Sequence, residues 1–191
     1  MNQSMGMNRG ALLLGAAALL ALAVSGCSTG GIYGMARDER TVGTMLDDNA
    51  LATKIKADML TDKSISSLDI SVYVYKGAVF LVGVTTDPKE GKRAEEIAHH
   101  NARGKGVDVY FLDKRNESGA SMTDDAVITS KIKARMIAEK NFESTRVEVK
   151  TLQGEAILLG LVADEEAKRK AISLAQSVSG VKKVISFLVM D

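Results

Sequence analysis

The sequence holds one cysteine, one proline, two histidines and no tryptophan in 191 residues. The lone cysteine, Cys27, rules out a disulfide within one chain. With no tryptophan and only 4 % aromatic residues, the chain lacks the stacking platforms on which single-strand nucleic-acid binders rely. Charge does not make up for them, because the net charge is +1, and no global field recruits nucleic acid. His99 and His100 are adjacent, so on a helix they point about 100° apart, and no cysteine or second histidine pair can join them around zinc. They are also the only histidine bases for the serine and threonine hydroxyls, and the matching positions of the repeat described below are Gln176 and Ser177. The chain is therefore read as no enzyme, with no metal site and no cofactor. Gly104-Lys105-Gly106 is too short for a phosphate loop and reads as a turn. A membrane span is missing too: the apolar run from 11 to 24 has fourteen residues, a helix of roughly 21 Å against a hydrocarbon core of roughly 30 Å.

What the sequence does contain is a frame used twice, Gly77-Ala78-Val79-Phe80-Leu81-Val82-Gly83 and Gly154-Glu155-Ala156-Ile157-Leu158-Leu159-Gly160. In each copy a glycine follows a polar residue, as a tight turn needing positive φ requires, and an apolar run too short for a helix follows. Ahead of it, Ile70, Val72 and Val74 alternate with Ser71, Tyr73 and Tyr75, and Val147 and Val149 alternate with Glu148 and Lys150. Each copy reads as a β-hairpin with one face in the core.

At a constant offset of 77, residues 47–102 align with 124–179 without a gap, and 16 of 56 positions are identical. Asp47-Asp48 and Asp124-Asp125 are expected to cap the starts of amphipathic helices, whose core stripes are Leu51, Ile55 and Met59 or Ile128, Ile132 and Met136. The first module reads as a helix over 48–60, strands over 68–75 and 78–84, a helix over 88–102 opened by Pro88, and a strand over 107–112. The second reads as a helix over 125–138, strands over 145–152 and 155–161, a helix over 164–178 and a strand over 181–189. The fold class is thus α/β of the α+β type: two tandem αββαβ modules, each a small mixed sheet covered by two helices.

Before the modules, Val24-Ser25-Gly26-Cys27 closes the apolar run and resembles a bacterial lipobox, in which Cys27 is acylated and becomes the mature N-terminus. That resemblance makes 1–26 a signal peptide and, with Ser28 rather than aspartate after the cysteine, implies export to the periplasmic face of the outer membrane. Residues 27–46 read as a tether spanning at most about 60 Å. The first module then occupies 47–115, a polar linker 116–123, and the second module 124–191.

Two αββαβ repeats with the Gly-x-apolar-x-Leu-x-Gly frame behind a lipobox resemble the dual BON-domain lipoproteins. Ser179-Gly180-Val181-x-x-Val184 resembles that family's lead into its last strand. The resemblance implies a non-enzymatic module that binds anionic phospholipid through the first helix of the second BON domain and supports envelope integrity. Lipid-binding relatives carry an aromatic residue where Val127 stands.

The residues themselves point to the same helix. Ile128, Ile132 and Met136 suffice for a core stripe, whereas Val127, Ala134 and Ile137 lie off it beside Lys131, Lys133 and Arg135. Such a distribution suits acyl chains and phosphate headgroups together, and Val127, Lys131, Lys133 and Arg135 are the expected lipid contacts. In the first module Asp58 replaces Arg135, so anions should bind less well there. A second reading is a periplasmic adaptor for an envelope protein partner, because Phe80, Val82 and Val84, like Ile157, Leu159 and Leu161, make both strands apolar on both faces. Helices cover only one side of so small a sheet, so the other is expected to pack on the sister module, another protein or a second copy. Gly160, on the face of Leu158, is expected to leave no room for a side chain against a helix.

Overall fold

The computed structural model of the protein describes residues 42–65, 69–114 and 120–191, all of which belong to one compact unit. The elements are α1 (Val42–Thr61), β1 (Ile70–Tyr75), β2 (Ala78–Thr85), α2 (Pro88–Ala102), β3 (Val107–Asp113), α3 (Ala120–Ala138), a 3-10 turn (Ser144–Arg146), β4 (Val147–Leu152), β5 (Glu155–Val162), α4 (Glu165–Gln176) and β6 (Lys183–Met190). Both modules are αββαβ, as the repeat implies. Cys27, the signal segment and most of the tether lie outside the described residues.

Each module builds a three-stranded mixed sheet with its second strand in the centre, in the orders β1-β2-β3 and β4-β5-β6. The hairpin pairs are antiparallel, with Val72 opposite Leu81 and Val149 opposite Leu158. The third strand returns parallel after its helix, with Leu81 opposite Val109 and Leu158 opposite Ser186, because a parallel partner needs a crossover. At the turns Lys76 and Gly77, and Gln153 and Gly154, all have positive φ, the backbone of a two-residue type I′ connection.

α1 and α3 start earlier than the sequence suggests. The acidic pairs do not open the helices: neither helix has an acid in its first turn. Instead Asp48 accepts from Lys76 N–H at 2.9 Å and Gly77 N–H at 2.8 Å, and Asp125 accepts from Gln153 N–H and Gly154 N–H, both at 2.7 Å. A hairpin turn with successive positive φ points two backbone donors the same way, and a carboxylate from the first helix fills that concavity. α2 and α4 do use aspartate caps, Asp87 accepting from Lys89 N–H and Asp164 from Ala167 N–H.

Two clusters are the cores of single modules. Ile55, Met59, Val72, Val74, Val79, Leu81, Ala94 and Ala98 lie between the first sheet and its helices; Ile128, Ile132, Met136, Val149, Ala156, Leu158, Ala171 and Ala175 do the same in the second. A third cluster joins the modules: Phe80 and Val82 of β2 meet Ile157 and Leu159 of β5, with Tyr73, Tyr75, Ile185, Phe187 and Val189 around them. Of the three possible covers for the doubly apolar strands, the sister module is the one used. The layers therefore run helices, sheet, sheet, helices.

Burial at this seam is close to complete. Val82, Ile157 and Leu159 are all 0 % exposed and Phe80 is 4 % exposed, and the Phe80 and Phe187 rings lie 5.3 Å apart between centroids. Four such side chains, at ~1.5–3 kcal/mol each, make the seam a substantial contribution, though smaller than either module core, where ten or more side chains are buried. Polar groups close its rim. Lys150 Nζ donates to Ser71 Oγ at 2.6 Å, and burial pulls the Lys150 ammonium below its ordinary pKa. Tyr110 donates to Glu155 and accepts from Lys183 Nζ at 3.0 Å. Asp191 ties Lys76 of the first module, at 2.9 Å, to the nearly buried Arg146 of the second.

Gly160 faces a neighbour other than the expected helix. A Cβ there would sit 2.1 Å from the Arg146 carbonyl oxygen, and φ is +124°. The obstacle is backbone from the adjacent 3-10 turn, which makes the position stricter than helix packing alone would.

Candidate functional site

α3 presents its core stripe inward, Ile128, Ile132 and Met136 being 6 %, 0 % and 1 % exposed. The opposite face is apolar as well. Val127 is 44 % exposed and Ile137 72 %, and Ala126, Val127, Ser130, Lys131 and Ala134 line a shallow open depression of about 420 Å³. Ser130 turns its hydroxyl back to the Ala126 carbonyl at 2.9 Å, which hides its polarity from the surface. The outer stripe is thus formed by small and aliphatic side chains with no polar hydrogen pointing outward from its middle.

Three bases surround this stripe, and they are not equivalent. At 100° per residue, Lys131 and Lys133 are about 200° apart on the helix, one on each flank of the stripe. Lys131 is exposed and makes no hydrogen bond or ion pair among the described residues. Lys133 lies against β4, its Nζ 3.2 Å from both carboxylate oxygens of Glu148. Arg135 Nη1 donates to Ser177 Oγ at 2.8 Å, beyond the end of α4, and that hydroxyl in turn donates to the Leu174 carbonyl at 2.7 Å. The fold brings Val127 and Lys131 together at the depression; it directs Lys133 and Arg135 to protein partners. Glu148 is the residue that sequence reasoning missed. Its alternation in β4 showed that it faces away from Val147 and Val149, but nothing local showed that it would meet a helix.

The matching helix α1 has another arrangement. Leu60, at the position of Ile137, is 68 % exposed, so an outward aliphatic side chain is common to both copies. Here Lys54 pairs with Asp58 at 2.8 Å, and that contact, first, with the Asn101 amide holds the Asp58 carboxyl below its ordinary pKa. The counterpart of Glu148 is Ser71, so no carboxylate is offered to Lys56 from that position of the sheet. Near α2, Asp62 has its pKa lowered to about 2 by hydrogen bonds from Ser64 and then Arg93. His99 lies 3.8 Å from Glu95 on the exposed side of α2.

The repeats, the central strand of each sheet and the turn-filling aspartates define a tandem α+β module protein, and the BON domain family model matches residues 47–111 and 124–191. The chain belongs to the BON-domain family. Among individual proteins, it is 31 % identical over 182 residues to outer membrane lipoprotein DolP of Haemophilus influenzae, covering 92 % of each chain. It is 31 % identical over 151 residues to osmotically-inducible protein Y of Escherichia coli, covering 75 % of this chain and 72 % of that one. It is 28 % identical over 155 residues to the 21 kDa hemolysin of Actinobacillus pleuropneumoniae, covering 79 % and 78 %. No helix among the described residues is long and apolar enough to cross a membrane.

Proposed function

We propose that this protein is an envelope lipoprotein, anchored through Cys27 at the periplasmic face of the outer membrane, which binds anionic phospholipid through α3 and so supports envelope integrity. The observation that carries this reading is the outward stripe of Val127, Ala134 and Ile137 with Lys131 exposed at its edge and without a partner among the described residues. An apolar face beside a base is what an interfacial helix needs: the aliphatic groups enter the acyl boundary while the ammonium meets a headgroup phosphate. Likeness to a lipoprotein named for the outer membrane supports the location, and the segment between Cys27 and the start of α1 at Val42 serves as tether, residues 42–46 belonging to the helix instead. In this reading Lys131 makes the first headgroup contact, while Lys133 and Arg135 strengthen it after leaving Glu148 and Ser177. The adaptor reading loses its motive, since the second apolar face of each sheet is covered by the other sheet.

The test is co-sedimentation of a 42–191 fragment, whose cores consist of its own residues, with phosphatidylglycerol-containing and pure phosphatidylcholine vesicles. Lys131→Glu is expected to weaken anionic binding at least fivefold, taking ~1 kcal/mol per base near an anionic surface; Lys56→Glu is expected to change it little. Equal binding to both vesicle types would remove α3 from the mechanism.

A further inference from the structure

We infer that Glu148 is a built-in competitor of the lipid headgroup: its carboxylate holds Lys133 in the place of a phosphate and sets the anionic density that a membrane must have before α3 binds. This inference rests on the lipid reading of α3 and adds to it the residue that tunes the affinity. Lys133 approaches Glu148 at 3.2 Å to each oxygen, a forked contact to a delocalised anion. Both partners are close to half exposed, with side chains 42 % and 46 % accessible. The pair is therefore wet, cheap to open and able to exchange one anion for another.

The position of the pair gives it this role. Lys131 and Lys133 flank the outer stripe, so a membrane laid on Val127 and Ile137 meets an exposed base on one side, unpaired among the described residues, and a neutralised base on the other. Glu148 also adds a negative charge beside the surface that must approach an anionic bilayer, which opposes docking. By mass action a sparse anionic membrane displaces the tethered carboxylate in a small fraction of molecules and a dense one in most of them. The sister module shows that the carboxylate is not a requirement of the fold, because Ser71 stands at its position in β1 and that sheet has the same register.

The experiment measures binding of the 42–191 fragment to phosphatidylcholine vesicles carrying graded fractions of phosphatidylglycerol. Glu148→Gln is expected to bind about fivefold tighter than the unaltered fragment, the equivalent of one base released toward the surface, and to reach half-binding at a lower anionic fraction. In a Lys133→Gln background the same change should give a distinctly smaller gain, because its main route of action has gone. Glu166→Gln removes one exposed charge elsewhere and is expected to change binding less than twofold. Equal binding by Glu148→Gln and the unaltered fragment, or the same gain with and without Lys133, would overturn the inference while leaving lipid binding intact. Failure of every variant to bind any vesicle would refute both. Displacement from vesicles by inorganic phosphate, beyond the effect of chloride at equal ionic strength, would make free phosphate the ligand and overturn the membrane assignment.

Discussion

Replacing Gly160 by alanine adds one methyl group, and the structure makes that addition costly for two separable reasons. The first is conformational: φ of +124° is a region that residues with a Cβ rarely adopt, and holding one there costs about 1–3 kcal/mol. The second is steric. The new carbon would lie 2.1 Å from the Arg146 carbonyl oxygen and 3.3 Å from the Val147 Cα, both backbone atoms, so β4 must move away from β5 where Val147 pairs with Gly160. Overpacking of this kind costs about 1–3 kcal/mol, and the sum for Gly160→Ala is about 2–6 kcal/mol. Gly104 supplies the control, having φ of +86° but nothing within 4 Å of its Cβ position; Gly104→Ala is expected to cost about 1–2 kcal/mol from conformation alone. The assay is urea unfolding of the 42–191 fragment followed by circular dichroism. At a slope of about 2 kcal/mol per molar, Gly160→Ala should lower the midpoint by about 1–3 M and Gly104→Ala by less than about 1 M. Equal shifts for the two variants would refute the backbone collision, leaving only the dihedral cost.

Further outcomes follow from contacts already described. Asp125→Ala removes the acceptor for two turn N–H groups and should cost about 2–4 kcal/mol in urea unfolding, more than the loss of an exposed helix cap. Phe80→Ala at the seam should cost about 3–5 kcal/mol and speed amide exchange in both modules, whereas a local cavity would affect the first alone. Asp191 has a pKa held below the ordinary carboxylate value by its hydrogen bonds to Lys76 and then Arg146. Since the folded pKa is depressed, its contribution is complete above the unfolded value of about 3.9 and is lost as pH falls through the folded one. Asp191→Asn should therefore flatten the acid limb of stability below about pH 4, as measured by urea midpoints across that range.

The hairpins were legible because alternation and the glycine frame are local signals. Val79 and Leu81 point to one face and Phe80 and Val82 to the other by the period of a strand, so the need for a second cover could be read from residues alone, although its identity could not. The acidic pairs were misread for a definite reason. Asp48 and Asp125 stand near a helical periodicity and carry the residue type of a cap, while their real partners are the turn amides 28 and 29 residues later. The true starts at Val42 and Ala120 lack an acid in the first turn and gave no local signal. In the candidate site, the exposure of Val127 and Ile137 followed from helical spacing. The engagement of Lys133 by Glu148 and of Arg135 by Ser177 depends on how β4 and α4 lie against α3, which no window of sequence encodes.

The sheet-to-sheet seam means that neither copy of the duplicated unit is self-sufficient. Cut between 114 and 120, each half would carry an uncovered apolar plate, Phe80 and Val82 on one and Ile157 and Leu159 on the other. The connecting segment then acts chiefly as a concentration device, holding the two plates near each other so that they close within one molecule. Where molecules are crowded together, the same plates are interchangeable between neighbours. The first half of one molecule fits the second half of the next as well as its own, and what decides between closed monomers and reciprocally exchanged pairs is how densely the molecules are packed while they fold.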